Sequence, residues 1–326
     1  MNARSRPWLR VLLPVLAAAA IALGAVGCAA APSRTSSIRA ASSIRAPRAA
    51  SSAGHSSAAA CHPYASSLAP LPGPPQVTSG PTMATIRKRG YLKAGVDQNT
   101  YHFGFRNPLD GQIEGFDIDM IKAVAQAIFP DANSNPHRVH WLAISDAQRE
   151  PDIWNGTVDI VAHTMTILCK RLKTEDFSSV YFNAVQKVLV LKTSKATSLA
   201  DLRGQKVCAT TLSDSLAAIV KYGAIPVAVP YWTDCLVLLQ QDDVAAISTD
   251  DAILDGLEAQ DPWTKIVGPP ISPQPYGLAI SNKHPDFVRF VNAVLEQLRT
   301  DGQWAASYAR WIGHPVPAPP PALYAS

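Results

Sequence analysis

Acidic residues are absent from the first ninety-six positions; the first is Asp97. Seven arginines occupy the terminal part of that stretch (Arg4, Arg6, Arg10, Arg34, Arg39, Arg45 and Arg48), and setting them aside takes the formal charge from +4 to −3. The body of the chain is therefore mildly acidic, which removes the main argument for a nucleic-acid partner. Three motif classes are also missing: a glycine loop able to cradle phosphate, a nucleophile elbow, and a His/Cys spacing that would hold a metal. No cofactor and no metal are expected. Charged residues are few, 17% against 47% hydrophobic, so wholesale disorder is excluded. The 326 residues hold two ordinary domains, or one large domain with appendages.

The apolar run that does occur, Val11 to Val26, is sixteen residues long. A membrane-spanning helix needs roughly 20 residues to cross ~30 Å of hydrocarbon, so this one is short. A cationic start, a short apolar stretch and then small residues describe a secretory signal over 1–27. Ala25-Val26-Gly27-Cys28 resembles the lipobox of bacterial lipoproteins, with Ala25 departing from the usual larger aliphatic residue. Cys28 is then the lipidation site and anchors the mature chain to the membrane; the alternative is an ordinary signal with a coincidental cysteine. From 28 to 80 the chain is rich in Ser, Ala and Pro, with the near-repeat SSIRAASSIRA. Such a composition predicts a flexible tether, with a span of roughly 40 Å for about 50 residues. The last residues, 314–326, read as a Pro-rich tail outside any core.

Four cysteines remain: Cys61, Cys169, Cys208 and Cys235. An even count in an exported chain favours disulfides, and three pairings are possible. Cys208–Cys235 is the preferred pair because neighbouring α/β elements carry them, leaving Cys61–Cys169; buried free thiols are the alternative.

Between these ends, apolar runs alternate with amphipathic stretches. YLKAGVD, VDIVAHTM, KVLVLK, KVCAT, IPVAV and VAAIS read as strands, buried from KVLVLK onward as well as in VDIVAHTM. GFDIDMIKAVAQAIF places Ile118, Ile121, Val124, Ala125 and Ile128 on one helical stripe, with Asp117 as its cap. A last long helix starts at Pro285 and turns Phe287, Phe290, Val291, Val294 and Leu298 inward. Alternation of this kind predicts an α/β fold with parallel-rich sheets. WNGTVDIVAHTMT and QQDDVAAISTDD echo one another, each ending a strand in a polar cluster, which favours a ligand between two such units.

The segment His163-Thr164-Met165-Thr166, followed by Arg171, Asp176-Phe177-Ser178 and Tyr181-Phe182, resembles the polar amino-acid class of bacterial extracellular solute-binding proteins, the receptors of ATP-driven importers. Supporting stretches follow in the family's order: AGVDQNTYHFGFRNP, GQIEGFDIDMIKAVAQAIF, DLRGQKVCATT, VAAISTDDAIL, PQPYGLAI and FVNAVLEQLRTDGQW, over 83–313. The resemblance implies a periplasmic-binding-protein fold with two crossover hinge strands. Lobe 1 would hold 83–186 plus 273–313, and lobe 2 would hold 187–272.

It also implies residue roles. Arg171 would grip the ligand α-carboxylate through a bidentate guanidinium fork. Thr164 and Thr166 would stand beside it, and Asp250 would receive the α-ammonium. Arg149, just before Glu150-Pro151, resembles the cation that acidic-amino-acid binders turn toward a side-chain carboxylate, and a second fixed cation would otherwise stay uncompensated. Ser213 lies in Leu212-Ser213-Asp214-Ser215, where the family has Gly-Ser-Thr-Ser. Tyr101 would line the cleft wall, and Tyr276 would reach the ligand from the return crossover.

The expected function is a lipid-anchored, monomeric receptor on the outer face of the membrane. It would bind aspartate or glutamate, with asparagine or glutamine admissible, and deliver it to an ABC permease. Two alternatives stand beside it: a sensor whose closed form docks on a membrane signalling protein, and a dehydratase-like enzyme on the same scaffold.

Overall fold

The computed structural model describes residues 61–78 and 80–325; the signal, Cys28 and most of the tether lie outside these. Two α/β lobes share the chain. In lobe 1 a five-stranded sheet runs Val139–Ala143, Leu92–Val96, Ile160–Ala162, Ala279–Ser281, Glu175–Phe177. The first three are parallel, with Ala94 opposite both Trp141 and Ile160. The helix Phe116–Ile128 covers this sheet with the predicted stripe, and Pro285–Thr300 buries all five predicted residues beside it. In lobe 2 the order is Ile225–Val229, Lys206–Thr210, Ala246–Asp250, Phe182–Leu191, Thr264–Val267. Ile225–Val229, expected to be buried, is an edge strand with Ile225 and Pro226 exposed, a position where proline's missing donor costs least.

Two antiparallel segments join the lobes. Phe182–Leu191 runs from one into the other, and Pro273–Tyr276 returns beside it with Tyr276 opposite Phe182 and Pro273 opposite Val185. The expected two-lobed architecture with paired crossovers is therefore present.

Both low-complexity ends behave differently from expectation. Residues 61–78, read as part of a free tether, lie on lobe 1. The Ser67 hydroxyl is buried, donating to the Phe177 carbonyl (2.6 Å) and accepting from Asn292 Nδ2 (2.7 Å). Leu68 and Val77 pack against the main core. The Pro-rich tail joins them: Val316 touches the same core, Pro320 is buried, and Tyr324 donates to Glu296 (2.6 Å). Ala325 N–H donates to the Ser67 carbonyl at 2.8 Å. A few apolar side chains among many prolines suffice, because proline-rich backbone is pre-ordered and loses little entropy on docking.

Cys61–Cys169 and Cys208–Cys235 are both bonded. The first ties the strap at 61–78 to the loop after Ile160–Ala162; the second ties Lys206–Thr210 to the helix Trp232–Gln240. Among the described residues no helix is long and apolar enough to cross a membrane.

Candidate functional site

The strands Ile160–Ala162 and Ala246–Asp250, which carry the sequence echo, end at the cleft between the lobes. Their polar ends supply Thr164 from lobe 1 and Thr249 and Asp250 from lobe 2. Asp146 and Arg149 complete the lobe 1 wall; Ser213, Asp214, Ser215, Trp232 and Ile253 complete the other. The gap between the walls leaves only about 10 Å³ for water-sized spheres, far below the roughly 300–1,000 Å³ typical of small-molecule sites. Admission of a ligand therefore requires the lobes to part. A larger groove lies on the outer face of lobe 1 between Phe116–Ile128 and the helices Pro285–Thr300 and Gln303–Trp311, but unpartnered buried donors do not converge there.

They converge in the cleft. Thr164 Oγ1, Ser213 Oγ and Trp232 Nε1 are buried, unpartnered within the protein and part of residues that line the cavity. Thr164 is held at φ +44°, a left-handed conformation that costs a β-branched residue about 1–3 kcal/mol. Leu212, next to Ser213, has φ +63°. Backbone strain thus flanks the site from both lobes.

Asp117 holds the Thr164 turn. Expected to cap its helix, it sits two positions too deep, with Gly115 as the N-cap residue. Its fully buried carboxylate accepts from Thr164 N–H (2.8 Å) and from Tyr181 O–H (2.6 Å). Burial pushes its pKa up to about 6 against the opposing pull of those two donors.

Arg171, Arg149 and Asp250 are all buried. The Arg171 Nη1 donates to the Thr166 carbonyl at 2.8 Å and Nε donates to Glu150 at 3.1 Å. Burial and the nearby Arg149 charge pull its pKa down, while Asp214 and Glu150 oppose them. Thr166 itself lies beside Tyr276 in an isolated bridge. The Asp250 carboxyl is pushed well up by burial and then by the charge of Asp214, and it accepts from Tyr276 O–H at 2.7 Å. A cation arriving at Asp250 would supply the countercharge that burial withholds. Tyr276 thus reaches the site through Asp250, and its ring packs on Phe182 in the core.

Two sequence expectations change. Tyr101 is exposed and does not line the cavity, and Arg171, Thr166 and Tyr276, though buried, stand behind its lining residues rather than among them. Arg149, expected to be an uncompensated cation, is ion-paired: its Nη1 lies 2.8 Å from Asp146 Oδ1. It also donates to the His163 carbonyl (3.1 Å) and the Asp146 carbonyl (3.2 Å). Asp146 was missed because it falls inside a helix-start signature. Ser145 and Gln148 form a capping box, with the Gln148 side chain accepting from Ser145 N–H at 2.9 Å, and an acidic residue there reads as dipole compensation. The signal that could have found it is the carboxylate three residues before Arg149. His163 is structural, donating from Nε2 to the Ile144 carbonyl at 2.9 Å. No trio of metal-ligating side chains occurs among the described residues.

The lobes meet at further points. Thr210 of lobe 2 donates to Asp146 of lobe 1. Gly256, in the lobe 2 helix Asp251–Gln260, lies against the lobe 1 turn so closely that a Cβ there would stand 2.6 Å from the Tyr101 carbonyl oxygen. Gly256→Ala should therefore hold the cleft open, giving a larger radius of gyration by small-angle scattering. Its melting temperature should not fall, because alanine favours the helix by about 1 kcal/mol. An unchanged scattering profile would show that the contact does not limit closure.

Two hinged lobes, closing on a small cavity that both line with charge and unpartnered donors, define a ligand-capturing receptor of the binding-protein type. The chain belongs to the bacterial extracellular solute-binding proteins, family 3, whose model matches residues 92–314. It is 33% identical over 234 residues to the ABC transporter glutamine-binding protein GlnH of Bacillus subtilis, covering 71% of this chain and 84% of that one. It is 25% identical over 249 residues to a glutamate/aspartate import solute-binding protein of Salmonella typhimurium, covering 73% and 82%. Among solved structures, an ancestral arginine-binding protein bound to glutamine superposes with a TM-score of 0.63 and 31% identity, over 69% of this chain and 99% of that one.

Proposed function

We propose that this protein is the extracytoplasmic receptor of an ABC importer for a polar amino acid of the glutamine, glutamate and aspartate group, anchored to the membrane through a lipid on Cys28. The observation that carries the reading is the convergence of Arg149, Asp250 and the unpartnered Thr164, Ser213 and Trp232 donors on one cleft between hinged lobes, with Arg171 buried near it and coupled electrostatically to Arg149 and Asp214. Arg171 takes the α-carboxylate, beside Thr164 and Thr166. Asp250, oriented by Tyr276, takes the α-ammonium. A zwitterion satisfies both without adding net charge to a buried site, which offsets the cost of burying each side chain. Contact with both lobes makes the closed form the tighter binder, so ligand shifts the lobes toward closure. The relatives named for glutamine and for glutamate/aspartate transport support the same ligand group.

The test is calorimetric titration with all twenty amino acids, alongside product analysis. Saturable binding of one or more of glutamine, asparagine, glutamate and aspartate, unchanged on recovery, is expected. Absence of binding, or chemical conversion of the ligand, would overturn the reading.

A further inference from the structure

We infer that Asp146 determines the class of ligand side chain, by converting Arg149 from a carboxylate-binding cation into half of a neutral pair, so that the receptor prefers an uncharged amide side chain to a carboxylate. The inference rests on the proposed amino-acid site and adds its selectivity.

The argument begins with what faces the cavity. Arg149 and Asp146 both line it, both are buried, and their charges lie 2.8 Å apart on one turn. The Arg149 bonds to the carbonyls of His163 and Asp146 fix the guanidinium against the wall, so it cannot swing away from its partner to meet a ligand alone. On the facing wall Asp214 adds a negative charge, and its influence is felt at both Arg171 and Asp250. A ligand carboxylate next to Arg149 would lie close to Asp146 as well, and across the cavity from Asp214. Repulsion in a buried site is weakly screened, and an acceptor-only group leaves both acidic walls unsatisfied. An amide carries a donor edge and an acceptor edge. Its carbonyl can accept from Arg149, Ser213 or Trp232, while its NH₂ donates to Asp146 or Asp214.

Besides Arg149, Asp146 has His163 Nδ1 at 3.4 Å and a bond from Thr210 across the cleft, and it is this last that the test must separate from the first. That bond favours closure whatever the ligand, so its loss should weaken all ligands by one common factor. Neutralisation of Arg149 acts on the ratio between ligands.

The experiment is calorimetric titration of glutamine, glutamate and arginine into the wild-type protein and the variants Asp146→Ala, Asp146→Asn and Thr210→Val. Arg149→Ala and the Asp146→Ala/Arg149→Ala double variant complete the cycle, and thermal melts confirm folding. The wild type should bind glutamine at least about tenfold more tightly than glutamate, with arginine weaker than glutamine. Asp146→Ala should move the glutamate-to-glutamine affinity ratio by about tenfold to a hundredfold toward glutamate, since it leaves a buried cation in search of an anion. Asp146→Asn, which preserves shape, should move it the same way, and the double variant should lose that gain. Thr210→Val should leave the ratio within about twofold. Wild-type preference for glutamate or arginine, or a ratio that Asp146→Ala and Asp146→Asn leave unchanged, would overturn the inference while the receptor reading stands. Failure of the wild type to bind any of the three would remove both.

Discussion

Arg171→Ala should abolish ligand binding. The guanidinium is buried beneath the Thr166 carbonyl and beside Glu150, and on the proposed reading its remaining donors meet the ligand α-carboxylate. A carboxylate closed into the cleft without it would be buried and unpaired, at a cost of about 3–5 kcal/mol. That cost corresponds to a loss of roughly a hundredfold to several thousandfold in affinity. Arg171→Lys is the discriminating companion. It keeps the charge but cannot form two parallel bonds while also holding Thr166, so an intermediate loss of about tenfold or more is expected. Calorimetry measures both, and a melting curve separates ligand contact from the turn that Arg171 braces. Full affinity in the alanine variant would remove Arg171 from the site, and equal losses with alanine and lysine would assign it a bracing role alone.

What the sequence disclosed follows from how each residue does its work. The two-lobed fold was legible because its strands and helices are long and periodic, and because the motifs around Arg171 and Asp250 occur in a recognisable order. The partners of those residues were not. Tyr276 approaches Asp250 across the crossover, from twenty-six positions away, and no local pattern encodes that meeting. Asp117 was hidden by its own neighbourhood. An aspartate near a helix start is ordinarily a cap, and its contact with Thr164, forty-seven positions on, exists only when the sheet has formed. Arg149 lines the cleft, but its charge was counted alone, since a capping-box position disguised Asp146. Charges in a buried site can be read only as a set, and sequence spacing supplies the members one at a time.

Removing the Cys61–Cys169 bridge should produce the larger stability loss of the two disulfides. The bond joins residues 108 apart, against 27 for Cys208–Cys235. Loop-closure entropy in the unfolded chain then contributes about 4–5 kcal/mol for the first and about 3–4 kcal/mol for the second. A second contribution points the same way. The bridge holds down the strap whose Ser67 joins Phe177 to Asn292 in the interior, and the tail docks on that strap in turn. Cys169 also lies two residues before Arg171, whose N–H donates to the Leu168 carbonyl at 2.9 Å. Loss of the bond therefore loosens the turn that presents the guanidinium, in addition to releasing the N-terminal strap. Urea denaturation of the Cys61→Ser/Cys169→Ser and Cys208→Ser/Cys235→Ser variants, each titrated with ligand, measures both consequences. The first pair should lower the midpoint further and weaken ligand by several-fold; the second should lower it less and leave Arg171 in place. A reversed order of midpoints would mean that the strap detaches at little cost. Unchanged affinity in the first variant would mean that lobe 1 holds the Arg171 turn without it.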